Sequence, residues 1–246
     1  MDLQRLMSLT RKAVDDYHMI SAGDRIAVGI SGGKDSLTLL YALHGLKRFY
    51  PELFELEAVT VDLGFPGAEE HLAPIRALCD RLEVPYTVVP SEIGSVVFDI
   101  RRETNPCSLC AKLRKGALNT AVKERGLNKV AYAHHKNDMV ETMFLSLIYE
   151  SRFFCFSPVT YLDRMDLTVV RPLMYVDEAD IIGFQRANDL PVFRNPCPAD
   201  GNTRRAYVKE LVNRLTKENP GAREHFFSAI LNGNIPGWPP KTGFPG

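Results

Sequence analysis

The sequence has no uninterrupted run of about 18 apolar residues, the length that a helix needs to cross a bilayer. Its first twenty residues carry charges throughout and lack the apolar core of a secretory signal. We therefore expect no membrane segment and a cytoplasmic protein. Net charge is missing too, since 30 basic residues are matched by 30 acidic ones. That balance argues against a globally basic nucleic-acid-binding protein.

Cysteine is scarce and odd in number. Five cysteines in 246 residues do not form a disulfide framework, and a chain of this length can bury enough surface to fold without one. Cys107 and Cys110 form a C-x-x-C pair, and Cys197 follows a proline. Cys79 and Cys155 stand in apolar sequence and are expected to be core thiols.

The zero net charge conceals an uneven distribution. Residues 51–100 contain ten acidic and two basic residues, whereas residues 101–130 contain two acidic and eight basic ones. Residues 201–225 add six basic residues against three acidic ones. These segments are either solvated helix faces or a local surface for an anionic ligand, and the sequence leaves both interpretations open.

Short apolar runs alternate with helical patterns along the chain, which predicts a Rossmann-like, doubly wound α/β fold. A leading helix precedes a mostly parallel five-stranded sheet, and further helices follow it. We expect residues 1–176 to form the main domain and residues 177–246 an appended helical part. Such sheets bind ligands outside the carboxyl ends of their strands. The five predicted strands cover residues 25–30, 55–62, 85–89, 129–133 and 167–171.

The segment GISGGKDS, residues 29–36, lies between the first strand and the next helix. Its glycines free backbone N–H groups to face an anion, the helix N-terminus adds partial positive charge, and Lys34 adds a full charge. It is not a Walker A motif, because Asp35 follows the lysine. A hydrolase nucleophile elbow is an alternative, but that fold needs several strands before the elbow and only 28 residues precede this loop. A plain tight turn is the other alternative.

The C-x-x-C pair opens a basic helix. A helix N-terminus and the nearby Lys112, Arg114 and Lys115 favour thiolates. Together with Cys197, the pair gives three thiolates, one short of a closed four-cysteine site, so an iron atom could keep an open position. A buried thiol pair, a redox dithiol and a zinc site completed by water remain alternatives.

The SGGKDS segment resembles the PP-loop of the N-type ATP pyrophosphatases, which cleave ATP between the α- and β-phosphates. The resemblance implies that Asp35 serves Mg²⁺ and that Thr60–Asp62 lie near adenine or ribose. Asp62 could equally be a strand-end carboxylate or a helix cap. The implied ATP-binding residues are Ser31, Gly32, Gly33, Lys34, Asp35, Ser36, Asp62 and His135.

The order of motifs over residues 8–230 resembles the tRNA 2-thiocytidine synthetases. After the loop come PCSLCAKLRKGAL, AHHKNDMVETMFLSLIYES, VVRPLMYVDEADI and NPCPADGNTRRAYVKELV. The resemblance implies a [4Fe-4S] cluster on Cys107, Cys110 and Cys197. It also implies ATP-dependent exchange of the C2 oxygen of an anticodon-loop cytidine (position 32) for sulfur. The implied partners are tRNA and a sulfur donor, either sulfide or a cysteine desulfurase, and a homodimer is left open.

Two departures from the family pattern affect the assignments. Asp200 stands where the family often has a further cysteine, which leaves three cysteine ligands and Asp200 as a weak oxygen ligand at most. In the stretch His134–Asp138 only the second acid of the family motif is kept, so Asp138 becomes the candidate for magnesium or ATP. The implied catalytic residues are Lys34, Asp35 and Asp138, and the implied RNA-binding residues are Arg114, Lys115, Arg204 and Arg205.

Other functions fit parts of the sequence. A PP-loop sulfur transferase or ligase acting on a small molecule or another nucleobase would explain the neutral charge. An iron–sulfur nucleotide-binding protein without turnover would explain the two motifs. Steep salt dependence of tRNA binding would count against a small-molecule substrate. Release of pyrophosphate would exclude a protein without turnover, and metal analysis would separate iron from zinc.

Overall fold

The computed structural model describes residues 1–101, 106–193 and 203–233. Its helices are α1 (Leu3–Asp16), α2 (Lys34–Lys47), α3 (Ala68–Arg81), α4 (Ile93–Ser95), α5 (Pro106–Glu124), α6 (Lys136–Tyr149), α7 (Glu178–Ala187), α8 (Arg204–Glu218) and α9 (Ala222–Asn232). Its strands are β1 (Arg25–Gly29), β2 (Glu55–Val61), β3 (Tyr86–Val89), β4 (Lys129–Ala131), β5 (Val159–Leu162) and β6 (Leu167–Val170). A π-helical segment, Val96–Arg101, follows α4, and a 3-10 turn, Asp163–Met165, separates β5 from β6. No helix in these ranges is both long and apolar enough to span a bilayer.

The strands of the described chain form one sheet in the order β3-β2-β1-β4-β6-β5. Strand β1 pairs in parallel with β2 on one side and with β4 on the other. The chain therefore winds outward in one direction from β1 and in the other from β4, which confirms the predicted doubly wound α/β fold. The crevice between the carboxyl ends of β1 and β4 is where such a sheet binds its ligand.

The described part of the sheet has a sixth strand, which the sequence did not predict. Strand β5 pairs antiparallel with β6 at the edge of the sheet. The link between them reverses direction at Asp166, which has a φ of 46°. The usual glycine signal for a hairpin turn is therefore absent, and the segment 159–162 did not stand out as a strand.

Strand side chains alternate between two faces, each covered by helices. Ile26 and Val28 of β1 belong to a cluster that includes Leu37 and Leu40 of α2. Ala27 belongs to a second cluster on the opposite face, packed with side chains of α5. This period of two is what a sheet buried on both faces requires. Buried side chains of α8 and α9 also belong to the first cluster. The boundary at residue 176 between the main domain and the appended helical part stays a prediction.

Helix α5 begins at Pro106, one residue before the C-x-x-C pair. Proline is favoured in the first turn of a helix, where its missing N–H costs no hydrogen bond. This start places both cysteines of the pair in the first turns, three residues apart and therefore on one face.

Asp24 provides a test of what holds the sheet together at the amino ends of β1 and β4. Its buried carboxylate lies 2.6 Å from Lys129 Nζ and accepts a 2.7 Å hydrogen bond from Asn128 Nδ2. We expect Asp24→Ala to lower the free energy of unfolding in urea by about 3–5 kcal/mol, because Lys129 is left buried without its carboxylate.

The matched control is Glu55→Ala, which removes an exposed ion pair with Arg25 at 3.0 Å between the amino ends of β1 and β2. It should cost less than about 1 kcal/mol. Equal losses for the two variants would contradict the assignment.

Candidate active site

The loop after β1 is organised as an anion cradle. Gly33 is the N-cap of α2, and Gly32 has a φ of 79°, which favours glycine. Ser36 Oγ donates to Gly33 O at 2.9 Å and accepts from Ser31 N at 3.1 Å, which closes the loop on itself. The turn thus presents the N-terminus of α2, with its partial positive charge, toward the carboxyl end of the sheet.

Lys34 is held in place beside this loop. Its Nζ donates to Asp35 Oδ2 at 3.2 Å and lies 3.1 Å from Glu178 Oε1. Burial lowers the pKa of Lys34, but the two carboxylates outweigh burial and raise it above its usual value. Burial also opposes the charge of Glu178, whereas hydrogen bonds from Lys209 and Lys34 bring its pKa down to about 2. Glu178 was not a predicted site residue.

His135 joins the N-termini of α2 and α6. It forms a capping box with Asp138, whose Oδ2 accepts from His135 N at 3.1 Å. His135 Nε2 lies 3.6 Å from Asp35 Oδ1 and 3.5 Å from Asp138 Oδ2. Asp35 and Asp138, which were predicted from separate motifs, therefore both lie next to the imidazole of His135. Within the described chain, Asp35 Oδ1 is buried and accepts no hydrogen bond.

Asp62 lies at the end of β2, where its Oδ1 accepts from Gly64 N at 3.0 Å. It therefore stabilises a turn and also lines a small pocket of about 50 Å³ next to Ser31. The same pocket is lined by Phe193, whose ring stacks on His71 at 4.5 Å. This aromatic pair could not be predicted from local sequence, because its members are 122 positions apart.

A cavity of about 930 Å³ connects the loop to the C-x-x-C pair. Its wall includes Ser31, Asp35, Ser36, Cys107, Cys110 and Asp138. Cys107 is exposed and Cys110 is half-buried. Cys197, the third predicted ligand, and Asp200 lie outside the described residues. Within those residues no three metal-ligating side chains converge, and ligation by Cys107, Cys110 and Cys197 stays a prediction.

The other two cysteines are core thiols, as predicted. Burial raises the pKa of Cys79 to about 11 and that of Cys155 to about 12. Cys155 reaches the cavity wall, but its Sγ is hydrogen-bonded to Met139 O at 3.3 Å. Both thiols therefore stay protonated near neutral pH and are poor nucleophiles.

Three cations line the same cavity without a carboxylate partner in the described part of the chain: Arg114, Lys115 and Arg171. Burial lowers the pKa of Arg114. Burial and then Arg171 lower that of Lys115. Burial brings the pKa of Arg171 to about 10, so it remains charged at pH 7. Arg171 is buried, Arg114 is half-buried and Lys115 is exposed, and their combined positive charge makes this wall suited to a bound anion. Arg171 was not among the predicted site residues.

The remaining predicted RNA-binding residues occupy different surroundings. Arg204 lies over the ring of Tyr149 at 4.7 Å. Arg205 Nη1 lies 3.0 Å from Asp138 Oδ1 and 3.5 Å from Glu141 Oε2. Arg205 therefore faces the acids of the site, and its part in RNA binding stays a prediction, as does that of Arg204.

Gly32 allows a direct test of the loop geometry. A Cβ at this position would lie 1.9 Å from the Phe193 ring. We expect Gly32→Ala to weaken binding of a non-hydrolysable ATP analogue at least about tenfold, because the added methyl group forces the loop or the ring to move. Isothermal calorimetry measures the affinity.

Gly67→Ala is the matched control, since Gly67 has the same φ of 79° and open space around it. The double variant Gly32→Ala/Phe193→Ala should recover part of the affinity. Equal losses in the Gly32 and Gly67 variants would show that the clash with Phe193 is irrelevant.

Comparison with known proteins places these features in one family. The PP-loop domain family matches residues 4–215. A tRNA-cytidine(32) 2-sulfurtransferase of Aliivibrio salmonicida is 41% identical over 226 residues, covering 91% of this chain and 73% of that protein. The enzyme of that name from Geobacter sulfurreducens is 37% identical over 232 residues, covering 93% and 90%.

Among solved structures, the fold is shared with a U34-tRNA thiolase from Methanococcus maripaludis that carries a [4Fe-4S] cluster. The TM-score is 0.77 at 22% identity, covering 92% of this chain and 76% of the thiolase. The family resemblance drawn from the motifs is confirmed. The chain belongs to the PP-loop domain family and to the family of tRNA-cytidine(32) 2-sulfurtransferases.

Proposed function

We propose that this protein uses ATP to adenylate the C2 oxygen of the cytidine at position 32 of tRNA and then replaces that oxygen with sulfur. The observation that carries the proposal is one cavity that borders the phosphate-binding loop, both thiols of the C-x-x-C pair and three cations without a carboxylate partner among the described residues. An activation step and a sulfur-transfer step on one base need such a shared space. Membership of the 2-sulfurtransferase family supports the same reaction.

The loop residues suit the polyphosphate of ATP. Backbone N–H groups at the start of α2 bind phosphate oxygens, and Lys34 neutralises the charge on the leaving pyrophosphate. Asp35 Oδ1 is buried and accepts no hydrogen bond in the described ranges, and its nearest cation is Lys34 Nζ at 3.1 Å. A carboxylate oxygen of this kind suits a hard cation. Magnesium held by Asp35 and Asp138 would supply further charge on the phosphates. Ser31, Gly32, Gly33, Ser36, Asp62 and His135 complete the proposed ATP site.

The C-x-x-C pair suits an iron–sulfur cluster. Its thiols share one face at the start of α5, where the helix N-terminus favours thiolate. With Cys197 as third ligand, a bound [4Fe-4S] cluster would supply an iron position that can hold the incoming sulfur. The structure gives Cys79 and Cys155 no such role, because both are buried and protonated.

The proposed chemistry balances with hydrosulfide as the sulfur nucleophile. The C2 oxygen of cytidine attacks the α-phosphorus of ATP, an oxygen–phosphorus bond forms, and the bond to pyrophosphate breaks. Hydrosulfide then attacks C2, its proton passes to solvent, and the C2–oxygen bond breaks with release of AMP. The products are 2-thiocytidine, AMP and pyrophosphate, so no oxidant or reductant is consumed.

The base must leave its stack to reach the cavity, which costs less in an anticodon loop than in a duplex. Arg114, Lys115, Arg204 and Arg205 are proposed to hold the tRNA backbone. Sulfide or a cysteine desulfurase is the proposed sulfur donor. We also propose that the protein is cytoplasmic, because tRNA is modified in that compartment. We propose a homodimer as its assembly, which light scattering would test.

The first test is anaerobic incubation of the reconstituted protein with ATP, sulfide and bulk tRNA, followed by nucleoside mass analysis. We expect 2-thiocytidine and equal amounts of AMP from the unmodified protein. Lys34→Ala should lower the rate at least about a hundredfold, since it removes a cation that acts on the departing phosphates. Its cluster absorption should be unchanged.

Lys47→Ala, at the exposed end of the same helix, is the control and should keep full activity. If the unmodified protein with an intact cluster makes no 2-thiocytidine, the proposed function is wrong. Thiolation of a small molecule instead of tRNA would favour the alternative substrate class.

A second test separates the cysteines. Cys107→Ala, Cys110→Ala and Cys197→Ala should each lose most of the bound iron and labile sulfide, because three ligands are the minimum for the cluster. Cys79→Ala and Cys155→Ala should retain both. Metal analysis after anaerobic purification reports the iron and also detects zinc. Full iron content in any of the first three variants would remove that cysteine from the ligand set.

A further inference from the structure

Arg171 is an unusual residue to find at the end of β6. It is 5% exposed, and none of its partners in the described chain is a carboxylate. Its Nε donates to His134 Nδ1 at 3.2 Å, and its Nη1 donates to Ser157 O and to Thr160 Oγ1. A buried cation without a counter-ion lowers stability. We therefore expect Arg171 to serve the site rather than stability, and its contact with His134 indicates that it positions this imidazole.

The contact with Arg171 determines the protonation of His134. A guanidinium only donates, so Nδ1 must accept, and the proton of the neutral imidazole is on Nε2. Burial, followed by the charge of Arg171, brings the pKa of His134 down to about 3. Asp138 opposes this effect, while Arg205 and His135 add to it. His134 is therefore neutral throughout the physiological pH range.

The orientation of the His134 ring is fixed as well. The ring stacks on Phe156 at a centroid distance of 4.3 Å, and the guanidinium of Arg171 lies over the same phenyl ring at 5.2 Å. The His134 ring lines the cavity that holds the loop and the thiols. Its Nε2–H makes no hydrogen bond within the described residues. A donor of fixed tautomer and fixed plane is thus available to a ligand in the cavity.

A pyrimidine base offers acceptors for such a donor. Cytosine carries O2 and N3 side by side on the edge that reacts, and proteins read unstacked RNA bases through hydrogen bonds to that edge. A carbonyl oxygen has two lone pairs, so one can accept from Nε2–H while the other attacks phosphorus. A charged imidazolium would donate a stronger hydrogen bond and so lower the nucleophilicity of this oxygen. It would also lie beside the positive charge of Arg171.

We propose that His134 binds the target pyrimidine by donating its Nε2–H to O2 or N3 of the base, and that Arg171 is the positioning residue that holds His134 in this state. This inference rests on the proposed function, since it names the contact that orients the base within that cavity. It adds His134, Arg171 and Phe156 to a site that the motifs had assigned to the loop, the acids and the cysteines.

The first part of the test compares two substitutions of His134. His134→Leu removes the donor, whereas His134→Gln keeps an N–H donor that cannot be protonated. We expect kcat/KM for tRNA thiolation to fall about tenfold or more in His134→Leu and to stay within about threefold in His134→Gln. ATP-analogue affinity and the cluster spectrum should be unchanged in both. A His134→Leu protein that thiolates as fast as the unmodified one overturns the inference.

The second part uses pH and does not depend on the leucine variant folding. In Arg171→Gln the neighbouring cation is gone, so the pKa of His134 should rise, while burial still holds it below its usual value. The acid-side loss of thiolation should then begin at a higher pH than in the unmodified protein. The double variant Arg171→Gln/His134→Gln should not show this shift.

Persistence of the pH effect in the double variant would show that it does not arise from His134 and would overturn the inference. Failure of the proposed function would give a different result: the unmodified protein would form no 2-thiocytidine, whatever the behaviour of the variants.

Discussion

The parallel pairing of β1 with β4 at the centre of the sheet is the constraint on which the site depends. Both strands end at the same edge, and each leads into a helix whose N-terminus starts there. The pairing therefore brings the loop before α2 next to His135 and Asp138 at the start of α6, although more than 100 residues separate them. Packing of the sheet core sets the distance between the loop before α2 and the start of α6, and the polar side chains of the site lie at that edge of the sheet.

Electrostatics at that edge explain why the net charge of the chain is a poor guide. Positive charge is concentrated where the cavity needs it: Arg114, Lys115 and Arg171 have no carboxylate partner in the described structure. Acidic side chains near the loop are paired with cations, as Glu178 is with Lys34 and Lys209 and Asp138 is with Arg205. The balanced total of 30 basic and 30 acidic residues is compatible with a local anion-binding wall.

Features encoded by local pattern could be predicted, because a motif within one loop or helix turn fixes its own geometry. SGGKDS predicted the loop, the C-x-x-C pair predicted two neighbouring thiols, and hydrophobic periodicity predicted five strands and the doubly wound order. Strand β5 was missed because Asp166, not glycine, occupies the positive-φ position of its hairpin.

Arg171, Glu178 and Phe193 could not be found in the same way. Each acts through a partner far away in sequence, and nothing in their local sequence distinguishes them from surface or core residues. Arg171 contacts His134 across the sheet edge, and Glu178 pairs with a lysine of another helix. Arg205 lies 3.0 Å from Asp138, a contact that its local sequence did not indicate, and its part in RNA binding stays a prediction. Tertiary contact, not composition, assigns these side chains.

Activation by ATP and entry of sulfur are proposed to occur on the same base in one cavity. An isotope experiment follows the oxygen that leaves this base. A tRNA labelled with heavy oxygen at the cytidine C2 position is thiolated, and the released AMP is analysed by mass spectrometry. We expect one labelled oxygen in AMP for each 2-thiocytidine formed. Unlabelled AMP accompanying full conversion to 2-thiocytidine would show that the C2 oxygen is not adenylated.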